Sequence, residues 1–252
     1  MIDLFWFLGF ALGFNLLVFL FAFTMRSDAL TDASYCVTFI AIILLAASLV
    51  PVSAQGVILI GMILVWALRL GVFLTVRIAR ARGDRRFDGI RESFVRFLGF
   101  WVLQGLAAWV VLLPALLFVR AHGSDVFWFG ALIWLIGLMI ESLADAQKAR
   151  FARDPRNSGR FISEGLWRYS RHPNYFGEIL CWIGVYVFVF PALMPIERIV
   201  GLAGPLFISF VLVFVTGIPP LERAGWNRWG HDPSYRAYIS KTSALIIWPP
   251  KR

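Results

Sequence analysis

The chain has 252 residues, 60% of them hydrophobic, with 24 Lys and Arg against 15 Asp and Glu and a net charge of +9. Soluble domains carry about 45–50% apolar and about 25% charged residues, whereas only 15% of this chain is charged. That balance excludes a soluble globule. Continuous apolar runs in place of alternating ones exclude a β-barrel, which leaves an all-α polytopic membrane helix bundle.

Taken in chain order, seven apolar stretches lie near 4–23, 35–50, 57–76, 97–119, 126–143, 176–194 and 199–218. A spanning helix needs about 17–25 such residues, so seven transmembrane helices are predicted. The first follows an Asp and has no small-residue cleavage site after it, which predicts a retained helix and not a signal peptide. The second is short and stops at Pro51, as a tilted or bundle-buried span does. Cys36 and Cys181 sit in or beside apolar runs and read as small buried hydrophobes, with no disulfide framework. The three His have no second ligand at helical spacing, so no metal is expected.

Charge orients the spans. Seven basic residues fall between positions 77 and 96, seven between 148 and 171, and six follow the seventh span, while only Arg120 and Arg198 stand out on the other side. The positive-inside rule puts these three segments in the cytoplasm, with the N-terminus outside and the C-terminus inside. Acids are mixed among them, as in Arg82-Gly83-Asp84-Arg85-Arg86 and Glu222-Arg223. Headgroup binding does not need those acids. A folded pocket that holds phosphates with bases and orients them with acids does; orientation with lipid contact alone is the competing explanation.

The motifs begin at the end of the fifth span. Glu141, Asp145 and Lys148 lie three or four residues apart and share a helix face, and Glu141 stands inside the apolar run, where an ionisable group usually has a partner. A turn-rich loop, Asp154 to Gly159, leads to Gly165-Leu166-Trp167-Arg168-Tyr169 and then to Arg171-His172-Pro173-Asn174-Tyr175-Phe176-Gly177-Glu178. Pro173 disfavours helix at His172 and suits a helix's first turn, so the sixth span is predicted to start there, its free N–H groups facing an anion. There is no G-x-G-x-x-G or G-x-x-x-x-G-K-[ST] loop, no internal repeat and no low-complexity linker. One transmembrane domain over 1–252 is expected, with 1–56 as peripheral spans and 57–252 as the core.

From about residue 140 onward the chain resembles the membrane steroid 5-alpha-reductase superfamily, in particular its bacterial 5-alpha-reductase-like (DUF1295) branch. Carrying residues are Asp145-x-x-Lys148, Gly165 to Tyr169, Arg171 to Glu178, and the tail from Tyr235-Arg236-x-Tyr238 to Trp248-Pro249. Trp66 to Leu70, Gly83-Asp84-x-Arg86-Phe87 and Leu103-Gln104-Gly105 look like the same branch. The resemblance implies NADPH held at the cytoplasmic ends of the later helices and hydride transfer to an activated carbon–carbon double bond of a lipophilic, steroid-like or other enone substrate. It implies cofactor contacts from Asp145, Lys148, Tyr169, Arg171, His172, Asn174, Tyr175, Glu178, Arg223 and Tyr235, with Arg77 and Asp84 added from the earlier half. The expected setting is a bacterial inner membrane, with membrane lipids and the substrate as partners, no nucleic acid and no obligate protein partner.

The departures define the catalytic candidates. In the steroid reductases a glutamate and a tyrosine from earlier helices polarise the substrate ketone. Here Trp66 stands at the tyrosine's place, and no glutamate occurs in the first 91 residues. An indole N–H donates a hydrogen bond but delivers no proton. Arg69, Trp66 and Gln104 are therefore the candidates for the substrate side, with Tyr35 and Gln55 beside them, each weighed against a plain interhelical hydrogen bond. An S-adenosylmethionine-dependent methyltransferase of the isoprenylcysteine or phospholipid type is the alternative, because that class shares an Arg-His-Pro-x-Tyr-x-Gly core and a later glutamate, here Glu222. A lipid-binding protein without turnover is the third reading.

Overall fold

A computed structural model describes residues 3–25, 30–81 and 89–251, apart from the side chains of 79–81. Nine α-helices occur among the described residues: α1 (Leu4–Thr24), α2 (Thr31–Leu49), α3 (Ala54–Ala81), α4 (Phe94–Arg120), α5 (Trp128–Arg153), α6 (Pro173–Val189), α7 (Pro195–Phe210), α8 (Ile218–Trp229) and α9 (Pro233–Lys241). Among these residues no strand forms beyond an isolated bridge from Ser170 to Ser243. Seven segments are long and apolar enough to cross a membrane, in the order the hydropathy predicts. The protein is thus an all-helical, polytopic membrane bundle.

Local chemistry sets the helix ends. Asp3 caps α1 by accepting from the Phe5 N–H at 3.0 Å. Pro173 opens α6, as its fixed φ and missing N–H predict. The second span runs 19 residues and reaches Leu49, longer than its apolar run suggested. The fifth continues ten residues past its apolar end to Arg153, because its polar continuation keeps helical periodicity. The seventh does not run straight through. A π-helical turn, Val211–Val215, follows α7, and α8 starts at Ile218. Pro219 and Pro220 lack the N–H groups that would bond to the carbonyls of Val215 and Thr216, and their rings would clash with those carbonyls, so the helix must break. At the break only glycine fits, since a Cβ on Gly217 would collide with the Leu212 backbone.

The chain divides into two compact units, residues 1–127 with 185–204 and residues 128–184 with 205–252. In the first, α4 is the central helix. Gly105 lets it approach the Ala11 backbone of α1, and the Trp109 indole donates to the Leu4 carbonyl at 2.9 Å. Phe19, Phe97 and Trp101 stack edge-to-face beside this contact. A buried polar network ties α1, α2 and α4. The Gln104 amide donates to Asn15 Oδ1 at 3.0 Å and to Ser34 Oγ at 2.9 Å, and the Asn15 amide donates to Thr38 Oγ1 at 3.0 Å. At the other end of this unit Arg120 pairs with Glu197 at 2.7 Å.

In the second unit α5 and α6 meet backbone to backbone. A Cβ on Gly137 would stand 2.6 Å from the Gly177 carbonyl, and one on Gly177 would stand 2.6 Å from the Gly137 carbonyl. Two helical turns along, Gly184 faces Gly130 and Trp134 in the same way, 2.7 Å from the Gly130 carbonyl. In lipid, where apolar side chains gain little by leaving their solvent, such small-residue seams let close packing drive association.

Candidate functional site

The motif residues of the second unit converge at the basic end of α5 and α6. The loop after α5 folds back on it: the Leu166 N–H donates to Gln147 Oε1 at 2.9 Å, and the Trp167 indole donates to the Ala144 carbonyl at 3.0 Å. Gly165, with φ of 58°, makes the turn that brings Leu166 there. Lys148 lays its ammonium over the Trp167 ring, 4.5 Å from the centroid.

The C-terminal strap fixes the next residues from outside. Arg171 N–H donates to the Ser243 carbonyl at 2.8 Å, Ser170 Oγ donates to the Leu245 carbonyl at 2.7 Å, and Trp248 N–H donates to the Tyr169 carbonyl at 3.1 Å. The Arg171 guanidinium then spans three partners. It donates to Glu222 Oε1 at 3.0 Å, to the Ile239 carbonyl at 2.7 Å and to the Thr242 carbonyl at 3.1 Å. The last two lie at the C-terminal end of α9, where helix carbonyls need donors and the dipole favours a cation.

His172 is 5% exposed, and its Nε2 lies 2.8 Å from the same Glu222 oxygen. A carboxylate there requires Nε2 to carry the proton, so Nδ1 presents a lone pair. Nδ1 is buried and has no hydrogen-bond partner among the described residues. The Tyr175 ring stacks on the imidazole with centroids 5.7 Å apart. Burial pulls the imidazole below its ordinary value of 6.5; Glu222 opposes this, and Lys148 and Arg171 add to it. His172 is therefore neutral at pH 7.

Beside this cluster lies a cavity of about 590 Å³. Its cations are Lys148, Arg160, Arg171 and Arg228, and its acid is Glu222. Phe161, Trp167, Trp229, Tyr235 and Tyr238 supply aromatic walls. The Phe161 ring sits 5.0 Å from that of Tyr235 and 5.4 Å from that of Tyr238. The Tyr238 hydroxyl donates to the Trp167 carbonyl at 2.6 Å, and burial pushes both tyrosine hydroxyls up, so they remain protonated. The Trp229 indole donates to the Gly159 carbonyl at 2.6 Å, joining α8 to the loop. The volume falls within the roughly 300–1,000 Å³ of small-molecule sites. Cations for phosphates and aromatic faces for planar rings suit a dinucleotide in their chemistry.

Of the cofactor residues named from the sequence, Lys148, Arg171, His172 and Tyr235 line this cavity. Asp145 and Glu178 are buried at 4% and 8% exposure, Asn174 and Tyr175 are half-buried, and none of the four lines it. Tyr169 and Arg223 are exposed and also do not line it; the residue that does is Glu222, one position before Arg223. Arg77 belongs to the first unit, where it pairs with Asp32 at 2.9 Å. Asp84 lies outside the described residues. The three substrate-side candidates belong to the first unit: Trp66 is fully buried against Phe39, Arg69 is half-buried with its guanidinium 5.7 Å from the Phe73 ring centroid, and Gln104 sits in the polar network. Phe161 and Trp229 had no signal in the sequence, because each becomes a wall only when the loop meets α8 and α9.

The DUF1295 family model, described as a protein of unknown function, matches residues 18–242, and the chain belongs to this family of steroid 5-alpha-reductase-like membrane proteins. An uncharacterized protein of Schizosaccharomyces pombe is 25% identical over 167 residues, covering 58% of this chain and 47% of that protein. The chain thus spans about half the length of the curated relative it matches. No solved structure matches.

Proposed function

We propose that this protein is an NADPH-dependent reductase of an activated carbon–carbon double bond in a lipophilic substrate, with the cavity of the second unit as its cofactor site facing the cytoplasm. The observation that carries the reading is the cavity itself: four cations and a wall of aromatic rings, with His172, in one hollow. Family membership supports the same direction. Bound there, NADPH would supply a hydride to the β-carbon of an enone whose α-carbon takes up a proton.

The chain's own residues do the holding. Lys148, Arg160 and Arg228 neutralise phosphates, and Phe161 and Tyr235 offer faces to planar rings. Glu222 keeps Arg171 and His172 in place by accepting from both through one oxygen. On the substrate side, both donor hydrogens of the Gln104 amide are already used, so it offers only its carbonyl oxygen. Arg69, half-buried in α3, is the charged group named from the sequence for the substrate side.

Thermal unfolding of the purified protein tests the reading. NADPH should raise the midpoint and S-adenosylmethionine should not; the opposite pattern would transfer the chain to the methyltransferase class. Lys148→Met should weaken NADPH binding about tenfold, or ~1.4 kcal/mol. Arg69→Ala should lower turnover more than it lowers NADPH affinity.

A further inference from the structure

A second cavity, of about 470 Å³, adjoins the first and shares Gly159, Arg160, Phe161, Trp229 and Tyr238 with it. Arg160 stands on both cavities, whereas Arg168 and Lys241 line only the second. None of these three cations makes a side-chain hydrogen bond or ion pair among the described residues. One acid, Asp232, lines the same cavity, and its carboxylate is engaged by the N–H and hydroxyl of Ser234, both at 2.8 Å. The cavity therefore carries net positive charge, three cations against one carboxylate.

A second observation points to a ligand. Thr242 lines this cavity and is 6% exposed. Its backbone is fully used: the N–H donates to the Tyr238 carbonyl at 2.9 Å, and the carbonyl accepts from Arg171 at 3.1 Å. Its hydroxyl has no partner among the described residues. The hydroxyl oxygen is not sealed off in the protein interior, so it is open to donate to an occupant of this basic hollow. An oxyanion fits: it accepts from the Thr242 hydroxyl and from Arg168 and Lys241 together. A neutral or cationic ligand would leave the charge uncompensated.

We propose that this cavity is a phosphate-binding site distinct from the cofactor pocket, occupied by the phosphate of an anionic lipid headgroup or by free phosphate. Either source presents the same tetrahedral oxyanion to the same donors. The two cavities share a wall. Thr242 and Tyr238 belong to the segment whose carbonyls hold Arg171, and Phe161 packs on Tyr238 from the loop.

Full-length protein in nanodiscs tests the proposal with two probes. Inorganic phosphate is titrated onto protein in phosphatidylcholine nanodiscs, and thermal stability is compared between phosphatidylcholine discs and discs that also contain phosphatidylglycerol. Both are repeated with Arg168→Gln/Lys241→Gln and, separately, with Thr242→Val, which keeps the shape and removes the hydroxyl. Saturable phosphate binding that the variants weaken about tenfold supports the site with a soluble source. Stabilisation by phosphatidylglycerol alone, abolished by the variants, supports it with a lipid source. Effects that survive both variants, or no effect of either probe, overturn it. NADPH affinity, measured on the same samples, should be unchanged; a parallel loss would assign these cations to the first pocket and also overturn a separate site. Failure of NADPH to bind wild-type protein would leave the phosphate result intact.

Discussion

The two units hold polar groups in apolar surroundings by opposite means. In the first, Asn15, Ser34, Thr38 and Gln104 are neutral and bond to one another, and Ser34 and Thr38 also donate to backbone carbonyls one turn back. In the second, Arg171, His172 and Glu222 are ionised or titratable, they share one carboxylate oxygen, and a buried imidazole nitrogen is left over beside a cavity. A closed neutral network fixes helix register and leaves no free donor on Gln104 for a ligand. An open, charged one costs more to bury and keeps its remaining capacity for a bound group.

The largest effect that can break this contrast is removal of Arg171, whose guanidinium satisfies a carboxylate and two helix-end carbonyls. Arg171→Leu should cost about 3–5 kcal/mol, read as a fall in the thermal midpoint, because it leaves Glu222 and both carbonyls short of a donor. Next is the α5–α6 seam that presents the cluster. Gly177→Ala should cost about 1–3 kcal/mol by forcing the helices apart. Gly61→Ala, with nothing within 4 Å of the added Cβ, should be neutral or slightly stabilising. Gln104→Leu, which removes two interhelical hydrogen bonds of about 0.6 kcal/mol each, should cost about 1 kcal/mol and leave NADPH affinity alone.

The smallest effect is the dependence on pH. Burial lowers the folded-state pKa of His172 below 6.5, so between 6.5 and that lower value the unfolded chain takes up the proton first. The stability this group contributes is complete above pH 6.5 and is lost as pH falls through that window. His172→Gln should flatten the fall. A steeper fall in the variant than in the wild type would contradict the neutral, buried assignment.

Hydropathy sufficed for the seven spans, because lipid allows little besides continuous apolar helices. Pro173 marked the start of α6 for the same local reason in sequence and in structure. The break at Gly217 was written in Pro219 and Pro220 yet lay hidden inside an apolar run, and α8 and α9 followed from it unannounced. In the site, Lys148, Arg171, His172 and Tyr235 were legible from short motifs. Glu222 was visible as one of the acids mixed among the bases and as a methyltransferase-like glutamate, but its bond to His172, which closes across 50 residues, was not. Phe161 and Trp229 gave no signal, because an aromatic wall exists only once distant segments meet. Gln104 was weighed for catalysis against an interhelical bond, and the structure places it in such a network.

The most direct test is NADPH affinity in three proteins side by side: wild type, Phe161→Ala from the cavity wall, and Gln104→Leu from the closed network. Loss of a stacking face is worth about 1–3 kcal/mol, so the wall variant should bind roughly tenfold or more weakly while the network variant matches wild type. Equal affinity in all three, or a loss confined to the Gln104 variant, would contradict a cofactor site in the second unit.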